Sequence, residues 1–201
     1  MKRREELLKR AIDLAVSGCA LGTMWPLLVA IAAAVRLDSD GPALFRQKRL
    51  GRDGRIFEFL KFRSMRADAD VRIGDDHVVV NPEDDDRVTR IGRWLRKASL
   101  DELPQLVNVL RGEMSVVGPR PDLPEALGMY DDRARRRLEV KPGITGLAQI
   151  SGRNLLDAAA KWEIDAQYAE TANLALDLSI LARTFLKVAN MEGIYRKEEP
   201  R

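Results

Sequence analysis

The sequence predicts an α+β, mainly helical protein: an N-terminal re-entrant (kinked) membrane helix, then a compact domain with a small β-hairpin and amphipathic interfacial helices. Three observations carry that expectation. From Ala11 to Leu37 the only charged residues are Asp13 and Arg36. Two alternating segments then flank Asp53-Gly54, a strong hairpin-turn signal. Further on, apolar residues recur at helical spacing beside a stripe of arginines, with no internal repeat or linker. The chain accordingly divides into a membrane-associated segment, 1–40, and one domain, 41–201.

The apolar segment admits three readings. Lys2, Arg3, Arg4, Lys9 and Arg10 precede it, and Arg46, Lys48 and Arg49 follow. A cleaved signal peptide would share the basic start and the Ala-rich stretch Ala30–Ala34. Glu5, Glu6, Asp13 and the length of the segment speak against it. A straight spanning helix leaves one basic flank on the far side, against the positive-inside tendency. A helix bent at Trp25-Pro26 has arms of roughly 18–22 Å, enough to dip into one leaflet and return. Lys2 and Lys48 would then face the same anionic surface, and Thr23 would support the bend by bonding a carbonyl one turn back. A proline-kinked span competes with this re-entrant form on equal terms, because membrane helices tolerate proline.

Composition narrows the chemistry. Charged residues make up 32% of the 201, yet the net charge is only +3, which permits an anionic partner without demanding one. The single cysteine, Cys19, allows no internal disulfide, and the single histidine, His77, allows neither a His-rich zinc site nor a Ser-His-Asp triad. Any catalysis must rest on carboxylates and cations, with a hard metal as an option. The basic run Arg133, Arg135, Arg136, Arg137 lies beside Asp131 and Asp132 with no aromatic stacking platform, so no nucleic-acid partner is expected.

Within the domain, Ala43–Arg49 and Arg55–Met65 read as strands, the second placing Phe57, Phe59, Lys61 and Arg63 on one face. Those two cations could hold a phosphate or simply protect a strand edge. Arg87, Arg90, Arg93 and Lys97 recur opposite Val88, Ile91, Trp94 and Leu95, an amphipathic helix whose basic stripe faces solvent or anionic lipid. Leu174 to Leu186 reads as a packed or interfacial helix, and an apolar face of that kind serves lipid or a second copy equally well, leaving a homo-oligomer open. In Gly118-Pro-Arg-Pro121 two prolines bracket Arg120 and preorganise it for bidentate phosphate contact. Lys141-Pro-Gly-Ile-Thr-Gly146 is a turn-rich loop whose backbone N–H groups can approach an anion. Neither phosphate-loop nor dinucleotide glycine signatures occur. In Ser99-Leu-Asp-Glu-Leu-Pro-Gln-Leu106, Ser99 and Glu102 have the spacing of a capping box, with Pro104 in the first helical turn.

The ordered segments Phe45-Arg-Gln-Lys-Arg-Leu-Gly51, Lys61-Phe-Arg-Ser-Met65, Arg87-Val-Thr-Arg-Ile-Gly-Arg93 and Leu100-Asp-Glu-Leu-Pro-Gln-Leu106 carry a resemblance that covers nearly the whole chain. Asn108-Val-Leu-Arg-Gly112, Val117-Gly-Pro-Arg-Pro121, Lys141-Pro-Gly-Ile-Thr-Gly146 and Ser151-Gly-Arg-Asn154 continue it. Together they resemble bacterial sugar transferases of the monotopic phosphoglycosyl transferase superfamily, in the minimal catalytic form. The resemblance implies transfer of a sugar-1-phosphate from a UDP-sugar to a polyprenyl (undecaprenyl) phosphate, with release of UMP. It also implies a place at the cytoplasmic face of the bacterial inner membrane among its phospholipids, at the first membrane step of glycoconjugate assembly. By the same resemblance Asp101 is the nucleophile, Glu102 a ligand of Mg²⁺, and Lys61 an active-site lysine. Arg120, Arg153, Gln149 and Asp165 are carried over as substrate-binding positions. Two departures stand out: Trp25 precedes the membrane proline where relatives place Ser or Ala, and Leu147 follows the Gly146 loop where they often have tryptophan. A conventional glycosyltransferase, releasing UDP, and a non-catalytic membrane scaffold are the competing functions.

Overall fold

The computed structural model describes residues 3–69, 85–152 and 156–189, and the fold is mainly helical. Helix α1 runs unbroken from Arg3 to Asp38, with Pro26 inside it. Its Ala- and Leu-rich sequence has few helix-weak residues, and Thr23 Oγ1 donates to the carbonyl of Cys19 at 2.9 Å, the back-bond expected near the proline. The better covered positions, 13, 17, 20, 24, 28, 31, 35 and 38, recur on one face. Trp25, Leu27 and Val29 are exposed on the remainder. Only 11% of the most apolar window is buried in the protein, an unusual area of greasy surface to leave to water.

Both ends of α1 are tied to the domain. Near its start, Arg10 donates to the carbonyls of Val109 and Leu110 at 2.6 and 2.9 Å. Asp13 accepts from Ser115 Oγ and the Val116 N–H, and Lys9 pairs with Asp177 at 2.6 Å. Near its end, Ile31 and Val35 are buried against Phe62 and Leu95. There Arg63 donates to the carbonyls of Ser39, Asp40 and Pro42, and Asp38 accepts from the Ile91 N–H. Arg63 is therefore not free to hold a phosphate with Lys61. It follows the end of its strand and gathers the carbonyls of the segment just after α1, with a longer contact of 3.4 Å to Val35 in the last turn of the helix.

Strands β1 (Leu44–Leu50) and β2 (Ile56–Phe62) form the expected antiparallel hairpin. Asp53 and Gly54 both take positive φ at its turn, as a tight hairpin connection requires. Phe45 faces Lys61 across the ladder, so Phe45, Gln47 and Arg49 share the Lys61 face by the two-residue period of a strand. Helix α2 (Arg90–Lys97) is shorter than the sequence stripe suggested. Thr89 caps it, while Arg87 precedes it, buried in an ion pair with Asp85. Leu95 faces the core and Trp94 is 56% exposed, so the apolar face is narrower than the sequence pattern.

Helix α3 (Gln105–Arg111) is followed by β3 (Ser115–Val117), which pairs in parallel with β4 (Gly143–Thr145). That pairing draws the Gly118 and Lys141–Gly146 loops together backbone against backbone. A Cβ on Gly143 would stand 2.1 Å from the Gly118 nitrogen, and one on Gly146 would stand 2.1 Å from its oxygen. No larger residue fits this crossing without separating the loops. Short helices α4 (Asp132–Arg135) and α5 (Leu147–Ser151) lead to α6 (Ala158–Thr171) and α7 (Leu174–Ala189). Tyr168 and Ile180 pack against Val117 and Ile150 in the core beneath that crossing.

Candidate active site

Asp101 and Glu102 lie on a single 3-10 turn, Leu100–Glu102, directly before α3. Ser99 takes a left-handed conformation (φ 56°, ψ 21°) and makes no side-chain cap, so the expected capping box does not form. Pro104 instead stands at the helix start with helical φ and ψ, its missing N–H costing nothing there. The left-handed Ser99 turns the chain sharply after α2 and carries Asp101 inward to only 8% exposure.

That carboxylate borders a cavity of about 500 Å³, within the range of small-molecule sites. Lys61, Arg49 and Gln47 line it from the hairpin, Arg96 from α2, Arg120 from the proline-bracketed loop, and Gln149 and Asp165 from α5 and α6. Ten Lys or Arg side chains stand among its lining residues against four carboxylates, an excess suited to a multiply charged anion. Arg120, half exposed at the site, donates to Glu102 at 2.7 Å. Lys61 lies over the Phe45 ring, 5.0 Å from its centroid.

Burial sets the protonation of the two central groups. Desolvation pushes Asp101 up to about 6; neighbouring Glu102 adds to the rise, and Lys61, Arg96 and Arg120 oppose it. Desolvation likewise brings Lys61 down to about 8, with Asp101 holding it up and nearby arginines pressing it lower. Each therefore stabilises the charged form of the other.

A second layer fixes the Arg120 loop. Arg137, which the sequence reading left in a surface basic run, is buried. It donates to the Arg120 carbonyl at 2.7 Å and to Asp165 Oδ2 at 2.8 Å, and it pairs with Asp122. Asp122 also accepts from Tyr130 Oη and Trp162 Nε1, both at 2.8 Å. Arg49 holds the next carbonyl, that of Pro121, at 3.1 Å. The remainder of the run is solvent-facing: Arg133 and Arg136 pair with Glu163 and Glu170. Burial raises the Asp165 pKa to about 6 against the pull of Arg137. Its Oδ1 and both amide atoms of Gln149 are buried with no hydrogen-bond partner among the described residues while their residues line the cavity, which leaves them able to meet a ligand.

The structure thus brings Asp101, Glu102, Lys61, Arg120, Gln149 and Asp165 to one cavity; Arg153 lies outside the described residues. Arg49, Arg96 and Arg137 are the additions. Alternation along β1 could have revealed Arg49, whereas nothing in a four-arginine cluster marks which one is buried. Among the described residues no group of three or more His, Cys, Asp or Glu side chains could hold a metal unaided. Mg²⁺ is commonly held by one or two carboxylates plus substrate phosphates, and the adjacent Asp101 and Glu102 in a cation-rich cavity suit that shared mode.

A buried Asp101 with half-buried Glu102 beside it, facing a cavity rich in cations in a chain with one long apolar helix, points to a class: an enzyme acting on anionic substrates. The family model described as bacterial sugar transferase matches residues 4–191, and the chain belongs to that family. It is 43% identical over 188 residues to the uncharacterized sugar transferase EpsL of Bacillus subtilis, covering 94% of this chain and 90% of that protein. It is 42% identical over 200 residues to a UDP-glucose:undecaprenyl-phosphate glucose-1-phosphate transferase of Caulobacter vibrioides, covering 94% and 73%. With the galactosyl transferase CpsE of Streptococcus agalactiae the identity is 45% over 192 residues, covering 90% of this chain but only 42% of CpsE.

Proposed function

We propose that this chain moves a sugar-1-phosphate from a UDP-sugar to a polyprenyl phosphate through a covalent intermediate on Asp101. The buried, cation-surrounded Asp101 carboxylate at the cavity is the observation that carries this reading, and the name of the Caulobacter relative supports both substrates. An Asp101 oxygen attacks the sugar-bearing phosphorus, and the bond from that phosphorus to the bridging oxygen breaks. UMP leaves with the bond's electron pair, and a phosphosugar remains on Asp101. An oxygen of the polyprenyl phosphate then attacks the same phosphorus and restores the free carboxylate. Asp101 needs no general base, because it is mostly ionised at neutral pH even with its pKa raised to about 6. Lys61, Arg120, Arg49 and Arg96 orient the diphosphate and offset the charge that otherwise repels the nucleophile. Glu102, with donor phosphate oxygens, would hold Mg²⁺, which when bound supplies further charge neutralisation at the leaving phosphate. Gln149 and Asp165 Oδ1 offer hydrogen bonds to the donor.

The attachment of both ends of α1 to one domain supports the re-entrant form and a cytoplasmic face shared by its two flanks; of the two lysines expected there, Lys48 is on β1 and Lys2 lies outside the described residues. Incubation of the protein with a panel of UDP-sugars, polyprenyl phosphate and Mg²⁺ tests the reaction: UMP is the expected product. UDP instead would identify a conventional glycosyltransferase, and silence across the panel would favour the scaffold.

The pH dependence of kcat/KM is expected to be bell-shaped. Activity rises as Asp101 loses its proton near 6 and falls as Lys61 loses its own near 8. Lys61→Gln should remove the alkaline limb and move the acidic limb upward, since the cation that favours ionised Asp101 is gone. A pH–rate profile unchanged by that substitution would exclude the pair.

A further inference from the structure

Lys141 opens the loop that the sequence reading assigned to anion binding, yet it is not among the residues lining the cavity. It belongs to a different cluster, at the junction of α1 and the C-terminus of α3. Gly112 ends α3 in a left-handed conformation (φ 81°), and the point where its Cβ would stand is 3.6 Å from both Arg10 Nη2 and Lys141 Nζ. An atom over Gly112 therefore meets two cations at once. Arg52 adds a third nearby charge, 46% exposed and loosely paired with Glu6 at 3.8 Å.

The protein's own anions occupy this cluster only in part: Glu6 reaches Arg52 loosely, and Glu6 and Asp13 act on Lys141 without an ion pair to it. Asp13, close enough to act on Lys141, is occupied by Ser115 and the Val116 N–H. Lys141 itself has no hydrogen bond or ion pair among the described residues. Desolvation lowers its pKa, and Arg10 and Arg52 lower it further against the opposing pull of Asp13 and Glu6. On the helix, Arg10 lies between Leu7 and Leu14 at three- and four-residue spacing, so the three share one face. Both leucines are exposed, at 65% and 42%. An apolar strip interrupted by a cationic pocket matches a molecule with a phosphate head and acyl chains.

We infer that Arg10, Lys141 and Arg52 form a phospholipid headgroup site, separate from the catalytic cavity, in which the lipid phosphate sits over Gly112 with its chains along Leu7 and Leu14. The inference rests on the membrane association argued above, but not on the identity of the reaction. The site seats the lipid against the same Arg10 that holds the last carbonyls of α3, the helix that begins beside Asp101 and Glu102.

The test uses the full chain in detergent, with native mass spectrometry to count lipids retained. Three probes are compared: phosphatidylglycerol, phosphatidylcholine and inorganic phosphate. One phosphatidylglycerol per chain is expected, displaced by neither of the others at equal concentration. Lys141→Gln should weaken its retention roughly tenfold, as loss of one charge-assisted contact does, and Lys141→Arg should restore it. Because Lys141 holds no protein group, its replacement should leave the melting temperature and UMP release in lipid-free detergent unchanged. Retention undiminished in Lys141→Gln would overturn the site while leaving membrane association standing. Binding of inorganic phosphate in preference to lipid would reassign it to a soluble anion. A wild-type chain that holds no lipid and needs no detergent would overturn both.

Discussion

Asp101→Asn is expected to lower sugar-phosphate transfer on the order of 10⁴-fold or more, as removal of a nucleophile that acts within a unit does. The amide keeps the shape of the carboxylate but cannot form the phosphosugar ester. Its effect on stability should be opposite in direction. The Asp101 pKa is raised on folding from 3.8 to about 6, so the folded state binds the proton more tightly than the unfolded chain. Stability is therefore lost as pH rises through that window, and at neutral pH the ionised group is a net cost. The asparagine variant should accordingly melt no lower than the wild type at pH 7 and show no labelled adduct after incubation with donor. Turnover near the wild-type rate would show that Asp101 is not the nucleophile.

Arg137→Met should produce the largest stability loss in the domain without touching substrate. The substitution takes from buried Asp165 and half-buried Asp122 the guanidinium that both contact, and breaking a buried ion pair from one side costs about 3–5 kcal/mol. It also releases the Arg120 carbonyl, so the KM for the donor should rise beyond what partial unfolding explains. Arg133→Met is the comparison, since its pairs with Glu163 and Glu170 are at the surface, screened by solvent, and should contribute little. Equal losses in the two variants, read from denaturant midpoints in detergent, would remove Arg137 from its supporting role.

These two residues also mark what could be read in advance. Asp101 was legible because a short motif fixes its neighbours, and the hairpin because Asp53-Gly54 sits between alternating segments. The apolar helix was legible from its missing charges. Arg137 was not, since burial of one arginine among four depends on Asp122 and Asp165, which are 15 and 28 positions away. The parallel pairing of β3 with β4 left no trace either: three-residue strands are too short to show a period. Ser99 misled for a related reason. The spacing to Glu102 allowed a cap, but the tight passage from α2 into the catalytic turn imposed a left-handed backbone that no spacing reveals.

The ties at the two ends of α1 differ in how far they reach along the chain. Arg63 and Ile91 meet the end of the helix within about one-quarter of the chain's length, whereas Lys9 waits for Asp177, 168 residues later. Such distant contacts form late, because the loop entropy must be met before they contribute. The end of the helix is therefore secured early, and its start in two steps. Arg10 and Asp13 dock once α3 and β3 have been made, about 100 residues later, and Lys9 completes the tie only when α7 exists. A domain expressed without α1 would lack the acceptor for Ser115 and Val116 and the cover for Phe62 and Leu95. Producing this enzyme as a fragment trimmed of α1 should thus yield aggregate, because helix and domain complete one another's fold.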